Sequence, residues 1–167
     1  YAEQARVGKI DGFARPEISG TGAARRIDAG TGFAYPEIEL ALDRLAPLAR
    51  EMGIASAGIH ASHHCGQAGR HVERLAEQGL VAFAYANTPS AMDFHGGKRS
   101  RLGTDPLAFA APISGRAPLV IDMALSVVAR SKIVAAKAKG EPIPEGWAVD
   151  DKGLPATNAD KALAGTL

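Results

Sequence analysis

Stretches with a clear apolar rhythm alternate along this chain with stretches that have none. After Pro36, the positions Ile38, Leu42, Leu45, Leu48, Ala49 and Met52 recur at spacings of three and four, which lays one apolar stripe along a helix. Pro36 suits its first turn, where a missing N–H is harmless, and Gly53 suits a left-handed cap. Pro47 contradicts the pattern and is expected to kink the helix or trim its last turn. Residues 54–59 are small and branched and read as a short buried strand. The loop 61–66 leads into a second helix over 67–78, with Ala68, Val72, Leu75 and Ala76 facing inward and Gly79 as its stop. Residues 80–86 read as a strand. Strand, helix and strand in that order predict a β-α-β unit.

From 87 to 106 the rhythm is lost. Pro89, Gly96, Gly97, Gly103 and Pro106 mark a long irregular loop, and long loops in compact chains usually carry function. Strands are expected over 107–111 and 119–123, separated by a turn over 112–118. A helix is expected over 126–139, its cations Arg130, Lys132, Lys137 and Lys139 suiting the carboxyl-terminal dipole. Residues 142–147 form a turn, 148–150 are extended, and Asn158 is placed to cap a short last helix. At the other end, residues 1–7 look helical and 8–32 read as loops with short extended pieces. One domain region is expected over 1–167: a loop-rich lead-in (1–34), a core (35–150) and a tail (151–167).

Composition narrows the class. The chain is 46% hydrophobic and 22% charged, as in ordinary globular proteins, and not disordered. Its net charge of +1 calls for neither nucleic acid nor an acidic membrane as partner. The one cysteine, Cys65, excludes a disulfide scaffold and a multi-cysteine zinc site. No apolar run is long enough to span a bilayer, and no leader is visible, so a cytoplasmic location is expected. The abrupt ends at Tyr1 and Leu167 suggest a central fragment of a longer chain.

The densest chemistry lies in Gly58-Ile59-His60-Ala61-Ser62-His63-His64-Cys65-Gly66, with three of the five histidines at a predicted strand end. Ligands gather at such edges in α/β proteins, and a helix N-terminus there offers N–H groups to an anion. Imidazole exchanges protons near neutrality. His60, His63, His64 and Cys65 are also metal-ligand types, so a metal-dependent hydrolase is one alternative. A non-catalytic binding module is another. A second cluster, Val120-Ile121-Asp122-Met123-Ala124-Leu125-Ser126, ends a strand on an acid and opens into small residues. Gly96-Gly97 and Gly103-Thr104-Asp105-Pro106 let backbone approach a ligand closely. There is no G-x-G-x-x-G after a strand, no phosphate loop and no nucleophile elbow.

Taken together, these pieces resemble the malate/L-lactate dehydrogenase family that lacks a Rossmann fold, which includes sulfolactate dehydrogenases and reductases of cyclic imino acids. The resemblance runs through Ser62-His63-His64 with Gly66 and Gly69, Asn87-Thr88-Pro89, Gly96-Gly97 and Leu102-Gly103-Thr104-Asp105-Pro106-Leu107-Ala108-Phe109. It continues through Val120 to Ser126 and Pro142-Ile143-Pro144-Glu145-Gly146-Trp147-Ala148. It implies an α/β (α+β) fold with a mixed, largely antiparallel sheet and flanking helices, a non-Rossmann nicotinamide-binding domain that is incomplete here. It implies an oxidoreductase using NAD or NADP on a small anionic 2-hydroxy or 2-oxo acid of the malate, lactate or sulfolactate type, or on a cyclic imino acid, and a homodimeric parent. His64 is then the proton-handling catalytic residue. Thr88, Asn87 and His63 lie at the substrate. Val120, Ile121, Asp122, Met123, Ala124, Leu125, Ser126, Gly103 and Thr104 contact the cofactor, and no metal is used. The sequence departs from the family's habit at Asp105, where Asn is usual, at Ser131, where Gly is usual, and at Phe94-His95, where a Trp commonly precedes the paired glycines. Two further segments of the family's site, one before Tyr1 and one after Leu167, lie outside this sequence, so the isolated 167 residues are expected to turn over little or no substrate.

Overall fold

The computed structural model describes residues 2–167. Its elements in chain order are α1 (Ala2–Arg6), β1 (Glu17–Ser19), β2 (Ala24–Asp28), α2 (Ala34–Met52), β3 (Ser56–His60), α3 (Ala68–Ala76), β4 (Ala82–Tyr85), β5 (Leu107–Ile113), β6 (Arg116–Met123), α4 (Arg130–Lys139) and α5 (Ala159–Ala164). They form two three-stranded sheets, ordered β1-β2-β3 and β4-β5-β6. This is the mixed α/β class expected, with small sheets and helices. Of the predicted opening helix, Tyr1 lies outside the described residues, and the helix ends at Arg6.

The β-α-β unit lies one element earlier than the apolar rhythm predicts. β3 pairs in parallel with β2, Asp28 opposite His60, and β4 belongs to the other sheet. The crossover helix is therefore α2, between β2 and β3. β1 adds to β2 antiparallel. β2 escapes the hydrophobic pattern because only Ile27 of its five residues is buried. α2 begins two residues before Pro36, runs through Pro47 and ends at Met52, with Gly53 left-handed at φ 82° as expected. The last turn is not trimmed. Ala34, Ile38 and Leu42 on its inner face pack with Ile59, Cys65 and Leu75.

Two other expectations change. The turn between β5 and β6 is only Ser114-Gly115, with Gly115 at φ 73°, and Pro112 and Pro118 lie inside the strands. A two-residue link between paired neighbours makes them an antiparallel hairpin. β6 is an edge strand, where a proline's missing N–H is tolerated. The helix expected from Ser126 begins only at Arg130. Ser126 Oγ donates to the Val128 carbonyl at 2.8 Å, and the β-branched pair Val127-Val128 disfavours helix.

The chain divides into two compact units. The first holds the residues up to Ala84 together with Phe109–Val120; the second holds Tyr85–Ala108 with Ile121–Leu167. The core of the first includes Ile27, Val72 and the α2 face. The second gathers Val128, Ile133, Ile143, Ala148, Ala156, Ala159 and Ala162, with Trp147 against them. Asn158 caps α5 as expected, its Oδ1 accepting the N–H groups of Asp160 and Lys161 at 3.0 and 3.1 Å.

Candidate active site

In the first unit, β3 delivers the chain at His60 into the histidine loop. That loop is clamped to residues 29–32 by backbone hydrogen bonds: Ala29 N–H to the His60 carbonyl (3.0 Å), Thr31 N–H to that of Ala61 (2.7 Å) and His63 N–H to that of Gly32 (3.2 Å). Ala61 and Thr31 hold φ of 51° and 64°, an uncommon region for residues with a Cβ that these bonds stabilise. His71 Nε2 lies 2.8 Å from the Cys65 carbonyl and must carry the proton there. Gly66, at φ 70°, leaves room for the Tyr35 hydroxyl, which a Cβ would meet at 2.5 Å.

The rings of His63 and His64 meet edge to face, centroids 4.5 Å apart and planes at 81°. Burial holds the His63 imidazole below its ordinary pKa of 6.5, and charge on His64 and Lys9 pushes it further down. The pair therefore resists double protonation: a proton on His64 disfavours one on His63.

His60 plays a different part. Arg26 Nε donates to its Nε2 at 2.9 Å, and its Nδ1 lies 3.9 Å from Asp28 Oδ1. Arginine donates only, so His60 Nε2 is the accepting, unprotonated nitrogen. Its lone pair is spent inside the sheet. Among the described residues no three His, Cys, Asp or Glu side chains are grouped to hold a metal ion. The metal-hydrolase reading of His60, His63, His64 and Cys65 therefore finds no grouped ligand set to support it.

In the second unit, Thr88 is a hub. Its N–H donates to Asp105 Oδ1 at 2.9 Å, and its Oγ1 accepts the Thr104 N–H at 2.8 Å and the Asp105 N–H at 3.3 Å. Gly103 packs so tightly here that a Cβ would strike Asp105 Oδ1 and both oxygens of Thr88. The Thr104 carbonyl accepts the Leu125 N–H at 2.8 Å, tying the stretch after β6 to the same knot. Thr88, Gly103, Thr104 and Leu125, singled out separately in the sequence, are thus brought together. Asn87 precedes the hub directly. Ile121, Asp122 and Met123 end β6, Val120 lies earlier on that strand, and Ala124 and Ser126 flank Leu125 in irregular chain.

Next to that stretch opens a cavity of about 500 Å³ whose walls include Met92, Phe94, Leu125, Ser126, Val127 and Glu145. Its floor belongs to the loop 87–106, which is ordered by a bridge between Met92 and Leu102. Asp93 fixes the tip: Oδ1 accepts the Phe94 N–H at 2.8 Å and Oδ2 that of Arg99 at 2.9 Å. Sequence reasoning missed Arg26, Tyr35, Met92 and the organising role of Asp105. The only local signal was the departure from the usual Asn at 105.

A family model described as malate/L-lactate dehydrogenase matches residues 1–167. The chain belongs to that family. It is 52% identical over 167 residues to a (2R)-3-sulfolactate dehydrogenase (NADP(+)) of Chromohalobacter salexigens, covering 100% of this chain and 50% of that one. It is 39% identical over 166 residues to a Δ1-pyrroline-2-carboxylate/Δ1-piperideine-2-carboxylate reductase of Pseudomonas putida, covering 99% of this chain and 49% of the relative. Among solved structures of the family, Δ1-piperideine-2-carboxylate reductase of Pseudomonas syringae superposes with a TM-score of 0.94 at 37% identity, over 100% of this chain and 51% of that one. Sulfolactate dehydrogenase of Methanocaldococcus jannaschii gives 0.85 at 32%, over 99% and 48%. The chain thus spans about half the length of these relatives.

Proposed function

We propose that this chain is part of an NAD(P)-dependent oxidoreductase acting on a small anionic 2-hydroxy or 2-oxo acid, with a sulfolactate-type acid as the first candidate. The observation that carries the reading is the His63–His64 pair, set in a clamped loop at the end of β3, in a chain 52% identical along its whole length to a sulfolactate dehydrogenase. A bound nicotinamide supplies or accepts the hydride. The residues of this chain have the remaining work. His64 gives a proton to the substrate oxygen as the carbonyl carbon is reduced, and takes it back in the oxidative direction. His63, kept neutral by burial, offers the substrate a hydrogen-bonding edge without competing for that proton. Asn87 is the substrate contact proposed for the second unit, with Thr88 directly after it in the chain. Val120 to Ser126, with Gly103 and Thr104, form the cofactor contact.

The fit to a nicotinamide cofactor rests on the cavity beside Leu125 and Ser126. About 500 Å³ is in the range of small-molecule sites. Phe94, Met92 and Val127 give it apolar walls for a ring.

A reductase of cyclic imino acids is the second reading, favoured by the TM-score of 0.94 to the piperideine carboxylate enzyme. The chemistry differs by one atom: His64 would protonate nitrogen in place of oxygen. Cytoplasmic placement and a homodimer complete the proposal. Among the described residues no helix is long and apolar enough to cross a membrane.

The test is an assay of the natural full-length protein with 2-oxo acids and cyclic imino acids under NADH and NADPH, following absorbance of the reduced nicotinamide. Consumption that saturates with a 2-oxo acid supports the first reading, and consumption only with imino acids selects the second. No saturable binding of either cofactor overturns both.

A further inference from the structure

We infer that Asp105 is a positioning residue, which acts through Thr88 and Thr104 to fix the backbone at Leu125. The argument starts from what the Thr88 hydroxyl has left to give. It owns one proton and two lone pairs. The N–H groups of Thr104 (2.8 Å) and Asp105 (3.3 Å) approach its acceptor side. Its proton has two oxygens in reach, Thr104 Oγ1 at 3.3 Å and Asp105 Oδ1 at 3.4 Å. The hydroxyl is committed inside the knot. Thr88 therefore serves the site by shaping the 103–105 turn, and not by offering its hydroxyl to a substrate.

The Asp105 carboxylate closes this arrangement. Being an acceptor only, Oδ1 takes the Thr88 N–H at 2.9 Å across seventeen residues of chain. The backbone there sits at φ 27°, which Asp and Asn tolerate better than other side chains. Gly103 has no room for a Cβ because Asp105 and Thr88 fill that space. The turn so fixed aims the Thr104 carbonyl at the Leu125 N–H, 2.8 Å away. Four residues from three separate segments thus form one chain of hydrogen bonds, Asp105 to Thr88 to Thr104 to Leu125. Leu125 and Ser126 wall the cavity, so the orientation of that wall depends on a carboxylate that does not line it. The knot needs an oxygen acceptor at 105 and not a charge, so Asn can fill the role and Ala cannot. Only the link from Leu125 to cofactor binding rests on the proposed function.

Two readouts test this on the full chain. The first is amide hydrogen exchange. Asp105→Ala is expected to speed exchange at Thr88 and Leu125 about tenfold, the loss of one hydrogen bond, while amides in α2 stay unchanged. Asp105→Asn is expected to restore the protection. The second is fluorescence titration with NADPH and NADH, where the dissociation constant rises about tenfold in Asp105→Ala and recovers in Asp105→Asn. Should Asp105→Ala fail to fold, Thr88→Val removes the hydroxyl at near-constant volume and is expected to deprotect Leu125 in the same way. Unchanged protection of Leu125 in the folded Ala or Val variant overturns the inference, as does an Asn variant that behaves like Ala. A wild-type chain that binds neither nucleotide defeats the functional reading, while the exchange result still decides the role of Asp105.

Discussion

Arg26 Nε donates to His60 Nε2 at 2.9 Å, joining two parallel strands through a ring that the sequence groups with His63 and His64. The register of β2 on β3 sets Asp28 opposite His60, so the ring lies between a cation and an acid. His60 is thereby a sheet fastener, and the proposed chemical pair is His63 and His64, three and four residues on. Replacement of His60 by Ala is expected to cost about 1 kcal/mol or less of stability, as for a partly exposed hydrogen bond, and to leave turnover largely intact. Replacement of His64 by Ala is expected to lower turnover by about 10²- to 10⁴-fold, the usual worth of positioned proton transfer. Denaturant unfolding and steady-state rates on both variants check this. Comparable rate losses in the two would return His60 to the active site.

A second expectation concerns Glu37 in the first turn of α2. Only 1% of it is exposed, and its Oε2 has no hydrogen-bond partner among the described residues. Burial pushes its carboxyl above the ordinary value of 4.5. The folded state then holds the proton more tightly than the unfolded state does. Stability is full below pH 4.5 and falls as pH rises through the raised folded value. Glu37→Gln removes that proton equilibrium, so its stability should lose the downward slope and exceed that of the wild type at neutral pH. Unfolding free energies measured from pH 4 to pH 8 for both proteins decide it, and parallel curves would refute it.

What the sequence made readable was local. Gly53 as a left-handed cap, Asn158 as an N-cap and the α2 stripe each depend on residues within a turn or two of one another. The histidine loop was readable for the same reason. The partner of β3 was not, because β2 reads Ala-Arg-Arg-Ile-Asp and buries only Ile27, so no apolar rhythm announced a strand. Arg26 meets His60 across thirty-four residues, and Asp105 meets Thr88 across seventeen. Such contacts follow from register and turn geometry, which one-dimensional patterning does not carry. The late start of α4 came from a side-chain bond, Ser126 Oγ to the Val128 carbonyl, competing with the helix.

The coupling of His63 to His64 gives a third expectation. Burial is the larger cause of the lowered His63 pKa and charge on His64 the next. With its folded value below 6.5, His63 favours the native state when neutral, and that stability is lost as pH falls from 6.5 through the depressed value. Removing the neighbouring charge with His64→Gln should raise the His63 midpoint part of the way back, since burial remains. An NMR titration of the His63 ring in both proteins reads this directly. A midpoint indifferent to His64 would mean that the two rings do not share one proton's worth of charge.

Gly66 supplies the last expectation, because it is the point where the histidine loop meets α2. Its φ of 70° is strained for any residue with a Cβ, and a Cβ there would sit 2.5 Å from the Tyr35 hydroxyl. Alanine must therefore meet a conformational cost of roughly 1–2 kcal/mol and also displace the tyrosine ring. Tyr35→Ala opens that space while leaving the backbone strain. In the double variant the steric part should vanish and the conformational part remain, so Gly66→Ala should cost less in the Tyr35→Ala background than in the wild type. A thermodynamic cycle of unfolding free energies separates the two terms. Additive costs would show that the tyrosine yields freely, and that only the backbone angle demands glycine next to the histidine loop.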